Sequence, residues 1–309
     1  MSTRVPLIAP AHPLARALPL FLGAGFCFAA MDALAKHLMR EHALFIVVWA
    51  RYAGQMIVVT PWAWHRSGPV FWRTRHPRVQ LLRSTLLFAA TASFYAAIRY
   101  LPLAEASAIS FVSPLLVVVL APWILGETTR RSQVAAALGG FVGVLILLRP
   151  GGDVLHPAAI LLFLTALCIA FYTLLTRKLP SDPPHTTIFY SALVGTAVLT
   201  PFVPFIAGPR TWMVENTSLL LLLGLMGGIG HGLLTLAFLR APAAMLAPYT
   251  YVQVLWATIW GWLAFSQLPD AASFVGMAVI AASGVALAWQ ERRRAAAMLR
   301  AGAATEPRR

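Results

Sequence analysis

Residues 100–104 read Tyr-Leu-Pro-Leu-Ala, and residues 240–244 read Arg-Ala-Pro-Ala-Ala, so that two prolines align across a spacing of about 140 positions. Further matches lie outward from this pair: Phe111 aligns with Tyr251, Ser113 with Gln253 and Glu127 with Gln267. Cys27 and Cys168 also fall at equivalent points. Matches that keep the same order over such a distance indicate that the chain is duplicated.

Apolar segments fill almost the whole chain. The bilayer core is roughly 30 Å thick, so a spanning helix needs ~20 apolar residues. Ten segments meet this requirement, at 17–38, 43–62, 80–99, 103–124, 131–149, 155–177, 186–206, 218–239, 243–265 and 271–290. With 59% hydrophobic and 11% charged residues, the chain has too little polar surface for a water-soluble globule. The sequence predicts an all-α polytopic membrane protein with ten transmembrane helices.

The duplication divides these helices into two groups. We expect a first repeat of five helices at residues 1–150 and a second at 151–309, with a basic cytoplasmic tail on the second. Because each unit has an odd number of helices, the second must enter the membrane in the opposite direction, which makes the repeats inverted. Inverted repeats place the substrate near the bilayer midplane, and alternating access follows when the halves exchange conformations.

The distribution of lysine and arginine predicts the orientation. A net charge of +14 would suggest nucleic-acid binding in a soluble chain, but most of these charges fall in alternate loops and in the tail. The expected cytoplasmic loops include Arg66, Arg73, Arg75, Arg78, Arg83, Arg130, Arg131, Arg177, Lys178 and Arg240. The positive-inside rule predicts that both termini are cytoplasmic, in a bacterial-type inner membrane. Anionic headgroups explain the charge without nucleic acid.

The sequence gives little support for a metal site, a redox site or a cofactor site. The two cysteines lie in the middle of predicted helices, where buried thiols usually pack as small apolar groups. No paired Cys or His spacing supports a metal site, and no Gly-rich phosphate loop with a lysine occurs. We expect neither a cofactor nor a metal, and the fused repeats remove the need for a dimer.

Several motifs resemble a known family. Residues 99–116 read Arg-Tyr-Leu-Pro-Leu-Ala-Glu-Ala-Ser-Ala-Ile-Ser-Phe-Val-Ser-Pro-Leu-Leu, and Met-Asp-Ala-Leu-Ala-Lys lies at 31–36. These residues resemble the EamA-domain branch of the drug/metabolite transporter superfamily, over positions 17–290. The resemblance implies a secondary transporter for small metabolites such as amino-acid derivatives, or cofactors of S-adenosylmethionine or riboflavin type. The second copy departs from the first, since Gln267 replaces Glu127 and Val254 replaces Pro114.

Charges inside apolar segments cost about 2.5 kcal/mol or more each and are therefore candidates for function. Asp32 and Lys36 share one helix face and are spaced to neutralise each other as an i, i+4 pair. They either form a structural pair at the outer helix end, or Asp32 contacts a cationic substrate or carries a proton that Lys36 helps to release. Arg51 and Gln55 repeat the spacing, and Arg51 either snorkels to the interface or faces a cavity, where it suits a carboxylate or phosphate.

The third and eighth helices carry matching polar pairs. Thr91 and Tyr95 in one correspond to His231 and Thr235 in the other. Lipid offers no hydrogen-bond partners, so both pairs should face protein or a cavity. His231 either makes an interhelical hydrogen bond or binds ligand and titrates.

The ninth helix places Tyr249, Gln253 and Trp256 on one stripe, which favours a cavity wall over an interfacial belt. Ser110 and Ser113 correspond to this stripe in the first repeat, and Tyr172 and Thr173 in the sixth helix complete the expected lining.

Two other functions compete with transport of a soluble metabolite. An integral-membrane enzyme would need an acid/base or metal constellation, which we do not find in the sequence. A flippase for a lipid-linked carrier would use the same scaffold, with an opening toward lipid.

Overall fold

The computed structural model describes residues 13–126, 131–148, 156–177, 179, 182–240, 246, 249–250 and 252–305. Its helices are α1 (Pro13–Leu38), α2 (Leu44–Ser67), α3 (Pro77–Ile98), α4 (Leu103–Ser110), α5 (Ser113–Leu125), α6 (Arg131–Leu148), α7 (Ala158–Arg177), α8 (Pro184–Leu199), α9 (Val203–Ile206), α10 (Val214–Arg240), α11 (Val252–Phe265) and α12 (Ala271–Thr305). The described residues form no β-strand, as the sequence predicted.

Seven helical segments are long and apolar enough to cross a membrane: Ala15–Leu38, Leu44–Val70, Pro77–Ile98, Leu103–Leu125, Ala158–Thr176, Pro184–Ile206 and Val214–Arg240. Each overlaps one of the ten predicted spans. The predicted spans at 243–265 and 271–290 overlap the shorter apolar helices Val252–Phe265 and Ala271–Ala286, and the span at 131–149 overlaps α6. The protein is therefore a multi-pass helical membrane protein, while the count of ten remains a prediction.

One predicted span, 103–124, is broken into two helices. The helical path stops at Ser110 and resumes at Ser113, with Pro114 in the first turn of α5. Proline fits the first turn of a helix because it needs no amide hydrogen there. α5 ends at Leu125 and is capped by Gly126, whose φ of 70° lies in the left-handed region and whose N–H donates to the Pro122 carbonyl. Glycine is common at this position after a helix.

The helices pack between the two predicted repeats as well as within them. α1 contacts α10 and α11, and α7 contacts α3, α4 and α5. α2 contacts α8, and α6 contacts α12. The largest cluster of buried apolar residues draws on all of these layers, with Met31, Tyr52, Tyr95, Leu103 and Leu223 among its members. Many large apolar side chains stay exposed, including Trp123 at 83% and Ile160 at 72%, which suits helices that face lipid.

Two ends of the bundle are defined by their contacts. At one end, α2 and α7 end while α3 and α8 begin, and Ser67 Oγ lies 2.7 Å from His185 Nε2. We call this the basic end, because Arg66, Arg73, Arg75 and Arg78 lie there. At the opposite end, α1 and α11 end while α4 and α12 begin, and Ser273 Oγ donates to Glu105 Oε1 over 2.9 Å.

α2 and α10 cross with their backbones in contact. A Cβ atom placed on Gly54 would lie 2.6 Å from the Gly224 Cα, and one on Gly224 would lie 2.3 Å from the Gly54 Cα. Any side chain at either position would force the two helices apart, so this crossing depends on glycine at both positions.

Candidate functional site

A cavity of about 300 Å³ lies between α1, α7, α10 and the start of α11, at the lower end of the usual size for ligand pockets. Its walls include Phe21, Gly25, Phe28, Thr173, Leu234, Phe238, Tyr249, Gln253 and Trp256. Most of the α1 residues in the wall lie in its first half, and Thr173, Leu234 and Phe238 lie near the ends of α7 and α10. The cavity therefore lies nearer to the basic end.

Aromatic rings form much of this wall. The ring of Trp256 meets Phe26 edge to face with centroids 5.4 Å apart, and its indole Nε1 is buried without a hydrogen-bond partner. Tyr249 and Gln253 line the same cavity, so the predicted stripe of the ninth helix faces protein and cavity. Together these side chains form an apolar wall that carries a few polar groups.

Phe28 separates this cavity from a deeper polar region. Its ring lies against the imidazole of His231, with centroids 4.9 Å apart. His231 Nε2 is buried and makes no hydrogen bond, so the interhelical bond that we considered is not made by this nitrogen. Asp32 lies one turn beyond Phe28 on the same face of α1.

The polar region contains an unusual set of unpaired buried groups. Arg51 is 6% exposed, Gln55 is 0% exposed and Tyr95 is 1% exposed. Arg51 Nε and Nη1, both polar atoms of the Gln55 amide and the Tyr95 hydroxyl have no hydrogen-bond partner. Leaving such a group unpaired costs about 1–3 kcal/mol, and more where it is charged. Because three such residues lie in one region, we take this region as the candidate binding site.

Arg51 does not snorkel to the interface. Its guanidinium carbon lies 4.6 Å from the ring centre of Tyr52, inside the bundle. Arg51 and Asp32 interact electrostatically. The Tyr95 hydroxyl lies near enough to both charges to interact with them. The polar region thus holds a cation and an anion that interact with each other.

Tyr52 connects the polar region to α3. Its hydroxyl lies 2.8 Å from Thr91 Oγ1 and 3.1 Å from the Leu87 carbonyl oxygen, to which it donates. The predicted site residue Thr91 is therefore occupied in holding Tyr52. Tyr52 was not among the candidate site residues identified from the sequence, although Tyr52 directly follows Arg51 in the chain.

Arg83 was also misplaced by the sequence, which assigned it to a cytoplasmic loop. It is 3% exposed and lies in α3. Its Nε donates to Thr176 Oγ1, its Nη1 to Ser191 Oγ and its Nη2 to the predicted site residue Tyr172, at 2.6, 3.0 and 2.5 Å. The available signal was its position inside the apolar segment 80–99, where a charge is a candidate for function.

A smaller network of hydrogen bonds lies at the basic end, close to Arg83. Thr74 Oγ1 donates to Asp182, and Gln80 Nε2 donates to the same carboxylate over 2.9 Å. Burial alone would raise the pKa of Asp182, but these hydrogen bonds outweigh it and hold the pKa below its ordinary value. The network joins the segment between α2 and α3 to the one between α7 and α8.

Lys36 does not pair with Asp32, contrary to the expected i, i+4 pair. Its Nζ donates to the Leu101 carbonyl over 2.7 Å and to Gln267 Oε1 over 3.1 Å. The ammonium therefore ties the end of α1 to the segments before α4 and α12. Both acceptors lie beside the last turn of α1 at the opposite end.

Several of the remaining predicted site residues use their hydroxyl groups for hydrogen bonds within their own helices. Hydroxyls of Ser110, Thr173 and Thr235 donate to the backbone carbonyls of Ala106, Ile169 and His231. Ser113 is buried at the break before α5. Glu127 lies outside the described residues. Among the described residues, no three His, Cys, Asp or Glu side chains group closely enough to hold a metal ion.

Comparison with known proteins identifies the scaffold. The model of the EamA-like transporter family matches residues 15–149 and again residues 156–289. The chain belongs to the EamA-like transporter family. One solved structure, described only as a crystal structure of a protein, has a TM-score of 0.65 at 19% sequence identity, covering 88% of this chain and 96% of that one. It shares the fold with this EamA-like transporter.

Several relatives of this EamA-like transporter carry functional names. An S-adenosylmethionine uptake transporter of Rickettsia bellii is 27% identical over 85% of this chain and 90% of its own. A riboflavin transporter of Vibrio cholerae is 28% identical over 88% and 92%. A pseudopaline exporter of Pseudomonas aeruginosa is 28% identical over 85% and 93%. The names of these relatives thus include both an uptake transporter and an exporter.

Proposed function

We propose that this EamA-like transporter is a secondary transporter that moves a small organic metabolite across the inner membrane by alternating access. The substrate is an amino-acid derivative or a cofactor, as in the S-adenosylmethionine and riboflavin transporters to which the chain is similar. The observation that carries the proposal is the set of unpaired buried groups on Arg51, Gln55 and Tyr95 beside a cavity.

Ten spanning helices in two inverted repeats, residues 1–150 and 151–309, form the scaffold of this proposal. The two matches of the family model support the duplication. The helix contacts support it as well, since exchange of the halves converts the α1–α10 contact into the α7–α3 contact. In this proposal both termini are cytoplasmic, as the positive-inside rule predicts, and the cavity then lies on the cytoplasmic side.

The two ends differ in a way that suits alternating access. The cavity lies toward the basic end, whereas Lys36, Leu101 and Gln267 hold the opposite end together. Such an arrangement corresponds to a state open toward one compartment. The alternate state would separate the contacts at the opposite end.

Uptake into sealed proteoliposomes tests the proposal. A mixture of metabolites that includes S-adenosylmethionine and riboflavin is supplied outside, with and without a pH gradient, and the vesicle contents are measured by mass spectrometry. We expect one class of solute to accumulate only in sealed vesicles containing the protein. Conversion of a solute in detergent would instead indicate an enzyme, and scrambling of a lipid-linked carrier without solute uptake would indicate a flippase.

Orientation is tested separately by cysteine labelling. Single cysteines at Arg75 and at Arg293 should react with a membrane-impermeant maleimide from the same side of the membrane. Labelling from opposite sides would overturn the even number of spans.

A further inference from the structure

We propose that the connection between α2 and α3, at the basic end, binds the phosphate-bearing headgroup of an anionic phospholipid. Arg66, Arg73, Arg75 and Arg78 supply the cationic contacts, and Trp72 anchors the connection at the bilayer surface. The occupant is a lipid of the surrounding membrane, so this site is separate from the cavity and does not depend on which solute is transported.

The connection lies at the membrane surface. The segments Leu44–Val70 and Pro77–Ile98 are each long and apolar enough to cross a bilayer, and only residues 71–76 lie between them. An extended residue spans at most about 3.6 Å, so this connection cannot carry its side chains far beyond the headgroups. Indole rings are enriched at this depth, and Trp72 is 51% exposed. The arginines that follow Trp72 are therefore placed close to the lipid phosphates.

The charge around the connection is almost entirely positive. All four arginine side chains are exposed, and the sequence has no aspartate or glutamate between positions 42 and 104. The segment before α8 contributes one carboxylate, Asp182, which accepts hydrogen bonds from Thr74 and Gln80. One carboxylate cannot balance four guanidinium groups. A phosphodiester supplies both the missing negative charge and the paired oxygens that a guanidinium fits.

Hydrogen bonds to α8 hold the connection in place. Thr186 Oγ1 donates to the Phe71 carbonyl over 2.8 Å, and the Tyr190 hydroxyl donates to the Trp72 carbonyl over 3.0 Å. The indole Nε1 of Trp72 donates to the Pro69 carbonyl over 3.1 Å. A connection that is already ordered loses little conformational entropy on binding. It therefore presents its arginines and its indole as a defined site for one headgroup.

A defined site differs from the general attraction between basic loops and anionic lipid. The general attraction depends on the amount of positive charge near the membrane, so that removing two charges from any basic surface would weaken it similarly. The ordered connection instead predicts that affinity depends on its own arginines. It also predicts that the ligand needs acyl chains as well as a phosphate, because the connection lies at the bilayer surface.

Lipid titration of the purified full-length protein in detergent, followed by native mass spectrometry, tests the site without depending on transport. The probes are palmitoyl-oleoyl-phosphatidylglycerol, the phosphatidylcholine with the same acyl chains, and water-soluble sn-glycerol 3-phosphate. Phosphatidylglycerol should bind about tenfold more tightly than phosphatidylcholine, and higher salt should reduce this preference. sn-Glycerol 3-phosphate, which carries a phosphate but no acyl chains, should not displace phosphatidylglycerol at an equal concentration.

Paired variants locate the site. Arg73→Gln/Arg75→Gln should weaken phosphatidylglycerol binding about tenfold and leave phosphatidylcholine binding unchanged. Because both side chains are exposed, this variant should elute and melt like the wild type in detergent without added lipid. Arg99→Gln/Arg293→Gln is the charge-matched control, since Arg99 follows α3 at the opposite end and Arg293 lies over Trp289 in α12. The control should bind phosphatidylglycerol as the wild type does.

Several results would overturn the proposal. Equal binding of the two phospholipids would show that the headgroup charge is not recognised. Equal losses in the two double variants would indicate general attraction to net charge, and an unchanged affinity in Arg73→Gln/Arg75→Gln would place the lipid elsewhere. Displacement by sn-glycerol 3-phosphate would indicate a site for free phosphate, and displacement by an oligonucleotide or a polyglutamate peptide would indicate a macromolecular partner. The proposed function is tested separately, by uptake into sealed vesicles.

Discussion

Under the proposed function, Gln55 is a side chain kept for ligand binding at the expense of stability. It is completely buried, and neither polar atom of its amide has a hydrogen-bond partner. A buried unsatisfied amide destabilises a fold by about 1–3 kcal/mol. Stability alone would favour an apolar residue of similar shape at this position.

Gln55→Met is therefore expected to melt at the same temperature as the wild type or higher, while uptake into proteoliposomes falls about tenfold or more because a ligand-facing amide is lost. Thermal unfolding in detergent and initial uptake rates measure the two effects. Gln80→Met is the control, since the Gln80 amide donates to Asp182 and Thr187, and its loss should lower the melting temperature. A marked loss of stability in Gln55→Met would show that Gln55 has a structural role.

Asp182 provides a second prediction, on pH. Its pKa is held below the ordinary value of 3.8 by hydrogen bonds from Thr74 and Gln80. A lowered pKa means that the carboxylate stabilises the fold above pH 3.8 and loses this contribution as the pH falls through the folded-state pKa. Asp182→Asn should therefore be less stable than the wild type at pH 7 by about 1 kcal/mol, since solvent screens the site. The gap should close below pH 3.8, and a gap independent of pH would contradict this account.

Which of these residues the sequence could identify depends on how local their partners are. Arg51, Gln55, Tyr95 and His231 stand out because lipid cannot satisfy a polar group. Lys36 was assigned to Asp32 from helix spacing, but its acceptors come from distant segments of the chain. Arg83 was counted as a loop charge because its hydroxyl partners lie in α7 and α8. Spacing along one helix cannot reveal such partners.

At the level of elements, the crossing of α2 and α10 depends on two glycines in direct contact. Gly54→Ala should destabilise the protein by about 1–3 kcal/mol, because a backbone neighbour cannot move aside as a flexible side chain can. Thermal unfolding in detergent checks this. Gly232→Ala in α10 is the matched control, since nothing lies within 4 Å of its Cβ position, and alanine there should stabilise the helix by up to about 1 kcal/mol. Equal effects of the two variants would contradict the close crossing.

Helix positions were readily predicted, whereas helix interruptions were not. The segment 17–38 corresponds to Pro13–Leu38 and the segment 103–124 to the pair α4 and α5. Hydropathy detects a stretch that can span a bilayer, but it averages over the break at residues 111–112. A proline such as Pro114 is compatible with a kink, but the structure shows that one helix ends at Ser110 and another begins at Ser113.

For the whole molecule, we expect the opposite end to open during transport. In a background with Cys27 and Cys168 replaced by alanine, cysteines at Glu105 and Ser273 can be joined by a short reversible bis-methanethiosulfonate linker, because the native side chains lie 2.9 Å apart. Cross-linking should abolish uptake, and dithiothreitol should restore it. The two single-cysteine variants are the controls. Undiminished uptake by the cross-linked protein would show that this end does not separate.

The Gly54–Gly224 contact has a mechanical consequence. It lies near the middle of both helices, and no side chain cushions it. Two helices in contact at such a point can pivot about it, so that moving them apart at one end of the bundle brings them closer at the other end. We expect the two mouths of the protein to be coupled by this geometry and never open at once, which would keep the membrane sealed to protons while cargo passes.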